Sequence, residues 1–253
     1  YEVTAFEKED FEPGVISNGM IADPPLFNVA LTDLLARGKF NTNAPIVVGV
    51  NNENVIMRYA TFPKVPDEKL RGVITMQAQD FIPVPVSELG LDFVVIDETT
   101  DDDDQPALNV LLVGARNLML QNLIQNFEEA KLQVVDIDSS FLAWTRVIID
   151  KLQPEDVVGF LCVTDDVIDF VAIADKEIKM VRSINVPDRA IVEIKKLFND
   201  PHEVVTSEME TIVDLLYSEL SSSINYFQMQ TGYMMNKVFF SAATELQKDV
   251  LEK

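Results

Sequence analysis

An α/β fold is what this sequence predicts, and three features carry the prediction. β-rich apolar runs alternate with segments whose apolar residues recur at helical spacing. Capping and breaking residues stand between them. With 47% hydrophobic residues in 253, the chain can also bury a sizeable core.

The elements follow in order. Asp23 caps a first helix with Pro24 at its first position; Leu26, Phe27, Ala30, Leu31, Leu34 and Leu35 form its apolar side, and Gly38 stops it. Pro45 to Val50 is a continuous β-rich run. Asn54 to Phe62 is a second strand after a turn at Asn51 and Asn52, so the pair reads as a hairpin. Pro66 and Asp67 open a helix with Leu70, Val73, Ile74, Gln77 and Phe81 on one side. Pro83 and Pro85 end it, because proline lacks the amide and clashes with the preceding turn. Strands Leu91 to Asp97 and Leu108 to Gly114 flank an acidic, proline-containing turn. A helix over residues 117–131, with Leu120, Leu123, Ile124 and Phe127, leads into a strand from Gln133 to Ile137. Ser139 or Ser140 then caps a helix that runs through Ile149.

Pro154 marks a boundary. Beyond it come three strands, Val157 to Val163, Ile168 to Ala174 and Glu177 to Ile184, and then two helices. The second helix has a capping box at Ser207 and Glu210. Ile212, Leu216, Leu220, Ile224 and Phe227 repeat along it up to Gly232. A strand from Lys237 to Ser241 leads into a last helix that the end at Lys253 cuts short.

Charge narrows the partners. Acidic residues number 42 against 20 basic, a net charge of −22, which repels phosphate backbones and anionic lipid headgroups. Lys195 and Lys196 lie in a helical pattern and read as a solvated face. Cys162 is the single cysteine; it allows no intrachain disulfide and fits a reducing compartment, and its apolar neighbours mark it as a buried thiol. No apolar run approaches the ~20 residues that span a bilayer, and no signal peptide opens the chain. Its start at Tyr1 rather than Met reads as that of a fragment or processed chain.

Catalytic groupings are scarce. Nine glycines form neither Gly-x-Gly-x-x-Gly nor Gly-x-x-x-x-Gly-Lys, and a phosphate loop needs glycine so that backbone amides can reach the anion. His202, the single histidine, follows Pro201 in a loop with no sign of a partnered nucleophile. One cysteine and one histidine fall short of a zinc ligand set. Asp97, Glu98 and Asp101 to Asp104 lack the glycine and distal glutamate of a calcium loop and read as a solvated turn. Asp165 and Asp166, like Glu128 and Glu129, read as solubilising pairs. Neither an enzyme, a metal nor a cofactor is expected.

Several phrases resemble the PilM family, actin-like cytoplasmic proteins of type IV pilus assembly. They are Glu12-Pro13-Gly14-Val15-Ile16-Ser17-Asn18-Gly19 with Ile21-Ala22-Asp23-Pro24, then Phe62-Pro63-Lys64-Val65-Pro66 and Phe81-Ile82-Pro83-Val84-Pro85. Leu91-Asp92-Phe93, Val135-Asp136-Ile137-Asp138, Val181-Arg182-Ser183-Ile184 and the helix with Glu219-Leu220-Ser221-Ser222-Ser223-Ile224-Asn225-Tyr226-Phe227 follow. Order and spacing over more than two hundred residues make the set specific.

The resemblance implies an actin-like, two-lobed α/β fold, truncated at both ends. Residues 1–61 with 134–153 would form the first lobe and 154–253 the second. Residues 62–133 would be the inserted small subdomain, where the strand, helix, strand, strand order read from periodicity falls. It implies a groove beside that subdomain for the cytoplasmic N-terminal tail of an inner-membrane PilN-like partner, with Met57, Tyr59, Phe81, Ile82, Val84 and Phe93 as candidate walls. Self-association and a secretion ATPase are further possible partners, and the protein would be cytoplasmic, held at the inner membrane through its partners. Against the family's glycine-rich nucleotide turns stand Cys162 and Thr164, Pro187 and Asp188, and Ala242 and Ala243. These bulky or acidic side chains favour a non-catalytic scaffold. The alternatives are an ATP-binding or filament-forming protein similar to FtsA and actin, and a cytoplasmic scaffold domain of type II secretion.

Overall fold

Local chemistry sets the first elements. In the computed structural model, which describes residues 2–163, 167–184 and 206–241, with the backbone alone at Val163 and over 206–212, Asp23 caps helix α1 (Pro24–Arg37). Its carboxylate accepts the Leu26 N–H at 3.0 Å. α1 buries Phe27, which stacks on Phe11 at 5.3 Å and tilts against Phe127 at 5.9 Å. Ahead of it, β1 (Ile16–Ser17) and β2 (Met20–Ile21) form a tight hairpin through Asn18 and Gly19, both at positive φ. A Cβ on Gly19 would lie 2.4 Å from the Asn52 side chain, so glycine is needed there twice over.

The expected hairpin between the next two strands does not form. β3 (Ile46–Val50) pairs in parallel with β7 (Val134–Ser139), whereas β4 (Val55–Pro63) pairs antiparallel with β6 (Pro106–Arg116). Asparagine chemistry explains the departure. Asn54 Nδ2 donates to the Asn18 carbonyl at 2.7 Å and Asn52 Nδ2 to that of Gly19 at 3.5 Å, so both side chains tie the turn to the β1–β2 hairpin. The chain leaves β3 sideways into another sheet.

That sheet has the order β4-β6-β5, with β5 (Leu89–Thr100) at one edge. Its outer face packs on helix α2 (Asp67–Gln77), where Leu70 and Ile74 meet Phe62, Val110 and Leu112. The turn between β5 and β6 is shorter than the sequence suggests, because the Asp101 carboxylate accepts the N–H groups of Asp103 and Gln105 at 3.0 and 2.8 Å. Asp97 and Glu98 consequently belong to β5. Helix α3 (Asn117–Glu129) then leads to β7, and Ser139 caps α4 (Ser140–Lys151) by accepting the Leu142 N–H at 3.3 Å.

The remaining strands are β8 (Val158–Val163), β9 (Ile168–Ala174), β10 (Glu177–Ile184) and β11 (Lys237–Phe240), in the order β10-β9-β8-β11. Every residue of β9 is buried. Its alternating side chains explain why: Phe170 and Ala172 face Leu216 and Phe227 of α5 (Thr206–Thr231), while Val171 and Ile173 face Phe141 of α4 and Met57 of the small sheet. The helix expected before α5, the last expected helix, Lys195, Lys196 and His202 lie outside the described residues, as do the Ser207 and Glu210 side chains.

Candidate partner-binding groove

Helix α3 has two apolar faces with different duties. Leu123 and Phe127 pack toward Phe27, and Asn122 pins this side by donating to the Ile21 carbonyl at 3.0 Å and accepting its N–H at 2.8 Å. Leu120 and Ile124 are left facing the small sheet. Between them, the inner sheet face and β7 lies an open cavity of about 480 Å³. Val55, Gly90, Val113 and Ala115 form its floor. A Cβ on Gly90 would come within 2.7 Å of Leu120 Cδ1, so any larger residue there would have to displace the Leu120 side chain from the cavity wall.

Two ion pairs stand on opposite rims. Arg71 of α2 reaches Asp92 of β5 at 3.0 Å and lies over the Phe93 ring at 5.0 Å, while Arg146 of α4 pairs with Asp138 of β7. The result is an apolar slot with charged lips, a shape suited to an extended segment with a few large aliphatic side chains.

None of the six residues expected to wall a groove lines this cavity. Met57 and Ile82 are 1% and 3% exposed and belong to separate core clusters on opposite faces of the small sheet. Val84 and Phe93 pack against the α2 side, and Phe81 tilts on Phe62 at 5.2 Å while remaining half exposed. Tyr59 is half-buried near Asp97 and Lys179; burial, then the Asp97 charge, pushes its hydroxyl pKa up to about 12. The lining residues Leu120 and Ile124 were legible only as one apolar side of a helix. Their separation from Leu123 and Phe127 by about one-sixth of a turn was the available signal.

Cys162 sits in a different environment. Cys162 is buried; Asn51 Nδ2 donates to its sulfur at 3.9 Å and Ser241 Oγ at 3.5 Å. Burial pushes the thiol pKa up despite the Ser241 hydrogen bond, so it stays neutral. Asp169 is also buried on this side of β9 and accepts from Ser183 Oγ at 2.8 Å. Thr164, Pro187, Asp188, Ala242 and Ala243 lie outside the described residues.

A solved PilM–PilN type IV pilus biogenesis complex superposes with a TM-score of 0.74 at 18% identity, covering 96% of this chain and 77% of that one. The cytoplasmic domain of EpsL, an inner-membrane component of the type II secretion system of Vibrio cholerae, gives 0.42 at 12% identity, covering 75% and 68%. A Bacteroides thetaiotaomicron protein with an actin-like ATPase fold gives 0.42 at 10%, covering 88% and 80%. At that level neither carries further argument. No curated protein matches in sequence. The α/β fold expected from the sequence is shared with that PilM. Residues 1–185 match the profile of the type IV pilus assembly protein PilM, and with that match over more than half its length the chain belongs to the PilM family of type IV pilus assembly proteins.

Proposed function

We propose that the protein is a non-catalytic cytoplasmic scaffold of the type IV pilus machine that holds the cytoplasmic tail of a PilN-like inner-membrane protein in the groove beside the small sheet. The apolar cavity of about 480 Å³ between the inner sheet face and α3 carries this reading. It is preformed on regular elements, so an extended tail would bind without reordering the site. The solved relative is itself a PilM–PilN complex, which supports the class of partner. Among the described residues no helix is long and apolar enough to cross a membrane, so in this reading the partner supplies the anchorage. Residues 1–61 with 134–153, 62–133 and 154–253 serve as first lobe, small subdomain and second lobe, with β4 crossing the first boundary to join the small sheet. Phe93 acts from beneath by steadying Arg71 on the rim.

Absence of catalysis is supported by the chemistry at Cys162. A neutral thiol beside Asn51 and Ser241 offers no anionic ligand for the magnesium of a triphosphate, and the neighbouring Asp169 carboxylate is buried and engaged by Ser183 and Asn51, which supports a non-catalytic role.

Titration of fluorescent tail peptides from the inner-membrane proteins encoded beside this chain tests the proposal. Saturable binding is expected, and Ile124→Asp should weaken it by about tenfold or more, because a carboxylate would be desolvated against the tail. Failure of every tail to bind at millimolar concentration would refute the reading.

A further inference from the structure

β5 ends the small sheet and, among the described residues, is hydrogen-bonded to β6 alone. Natural edge strands are usually blunted by shortness, lysine, proline or a bulge. β5 runs for twelve residues with no lysine or proline; its one bulge lies between Val95 and Asp97, and Val94 and Val95 beside it are 55% and 39% exposed. Its first residues, Gly90 to Asp92, line the groove. Its far end runs into the Asp101–Asp104 turn, whose four side chains are exposed. Asp97 pairs with Lys179 and Glu98 with Lys64, but among the described residues no ion pair reaches Asp101, Asp102, Asp103 or Asp104. A free backbone edge thus connects the apolar slot to an uncompensated negative cluster.

Charge decides what can lie on that edge. A second copy pairing antiparallel about Val94 and Val95 would set Asp92 against Asp97, which like-charge repulsion disfavours. An extended segment ending in lysine or arginine meets no such penalty. Segments on the cytoplasmic side of a membrane span are rich in those residues. The span from Asp92 to Thr100 measures about 26 Å at the usual rise of an extended chain, which about eight residues cover.

On the basis of the groove reading, we propose that the free edge of β5 carries the continuation of the same tail by strand addition, and that the Asp101–Asp104 turn receives its basic residues. The partner is thereby specified as an apolar anchor, about eight extended residues, then a lysine- or arginine-rich stretch before the membrane.

Fluorescence anisotropy on the whole chain tests this with synthetic peptides. Each has a leucine- and isoleucine-rich anchor, a Thr/Val spacer of about eight residues, and either a Lys-Lys-Arg or a Ser-Ser-Ser end. At low salt the basic peptide should bind about tenfold more tightly, as a few exposed charge pairs would give. High salt should erase the advantage. So should the D102N/D103N/D104N variant, which leaves Asp101 and the turn intact while binding the Ser-ended peptide as the parent does. Shortening the spacer to about two residues should also remove it, because the basic end then stops short of the turn. Equal affinity of the two peptides, or an advantage that persists in the triple variant, would overturn the proposal while leaving the groove reading in place. If neither peptide binds, the groove reading fails and takes this one with it.

Discussion

Asp169 places a carboxylate in a strand whose every residue is buried. Burial raises its pKa, and the hydrogen bonds from Ser183 and Asn51 pull it back only in part. A carboxyl with a raised folded-state pKa favours the fold most below its unfolded value near about 4 and loses that contribution as pH rises through the folded value. Asp169→Asn removes the charge and keeps an oxygen for Ser183 Oγ. It should therefore raise the melting temperature at neutral pH, and the gain should shrink toward pH about 4; a gain that is constant with pH would contradict the account. Single residues also show how far sequence reading reaches. Asp23 and Ser139 could be read as caps because each bonds an amide three residues away. The depth of Met57 could not, since alternation in a strand tells the face and not what covers it.

At the level of elements, α4 is the wedge between the small sheet and β8. Phe141 is fully buried and stacks on Phe160 at 5.7 Å, in the cluster that also holds Met57 and Leu111. Phe141→Ala should cost about 3–5 kcal/mol, measured by urea denaturation, because three elements converge on the ring and cannot all collapse into the hole. Among the described residues, element existence was legible almost throughout. Partnership was not: β3 and β4 are neighbours in sequence and each carries a sound strand pattern, yet they join different sheets. What separates them is the bonding of Asn52 and Asn54 to the Asn18–Gly19 turn, a long-range contact that no local pattern announces. The candidate groove was obscured for the same reason. Its floor and wall come from strands and a helix far apart in the chain, and the most apolar phrases nearby went to the core instead.

Across the whole molecule, a line of polar contacts joins the small sheet to the four-stranded one. Thr61 of β4 donates to Asn109 of β6 at 2.9 Å, Asn109 donates to Asp97 of β5 at 2.7 Å, and Lys179 of β10 reaches Asp97 at 3.0 Å. The β5 bulge between Val95 and Asp97 falls at this point. Burial lowers the Lys179 pKa, but its bonds to Glu177 and Asp97 outweigh that and raise it, so the lysine stays charged. Lys179→Met should destabilise by about 1–2 kcal/mol, the partial burial of Asp97 keeping the loss below that of a fully buried pair. Hydrogen exchange should quicken in β4 and β10 together; quickening confined to β10 would show that the line does not couple the sheets.

The parallel pairing of β3 with β7 sets a kinetic demand. Its partners lie about ninety residues apart, so the pair can zip only after that loop has closed. Strands β4, β5 and β6 with helix α2 form a contiguous antiparallel unit inside the loop. Assembly of this unit first would draw the loop's ends together and leave the parallel ladder as the slow, late event on the way to the native chain.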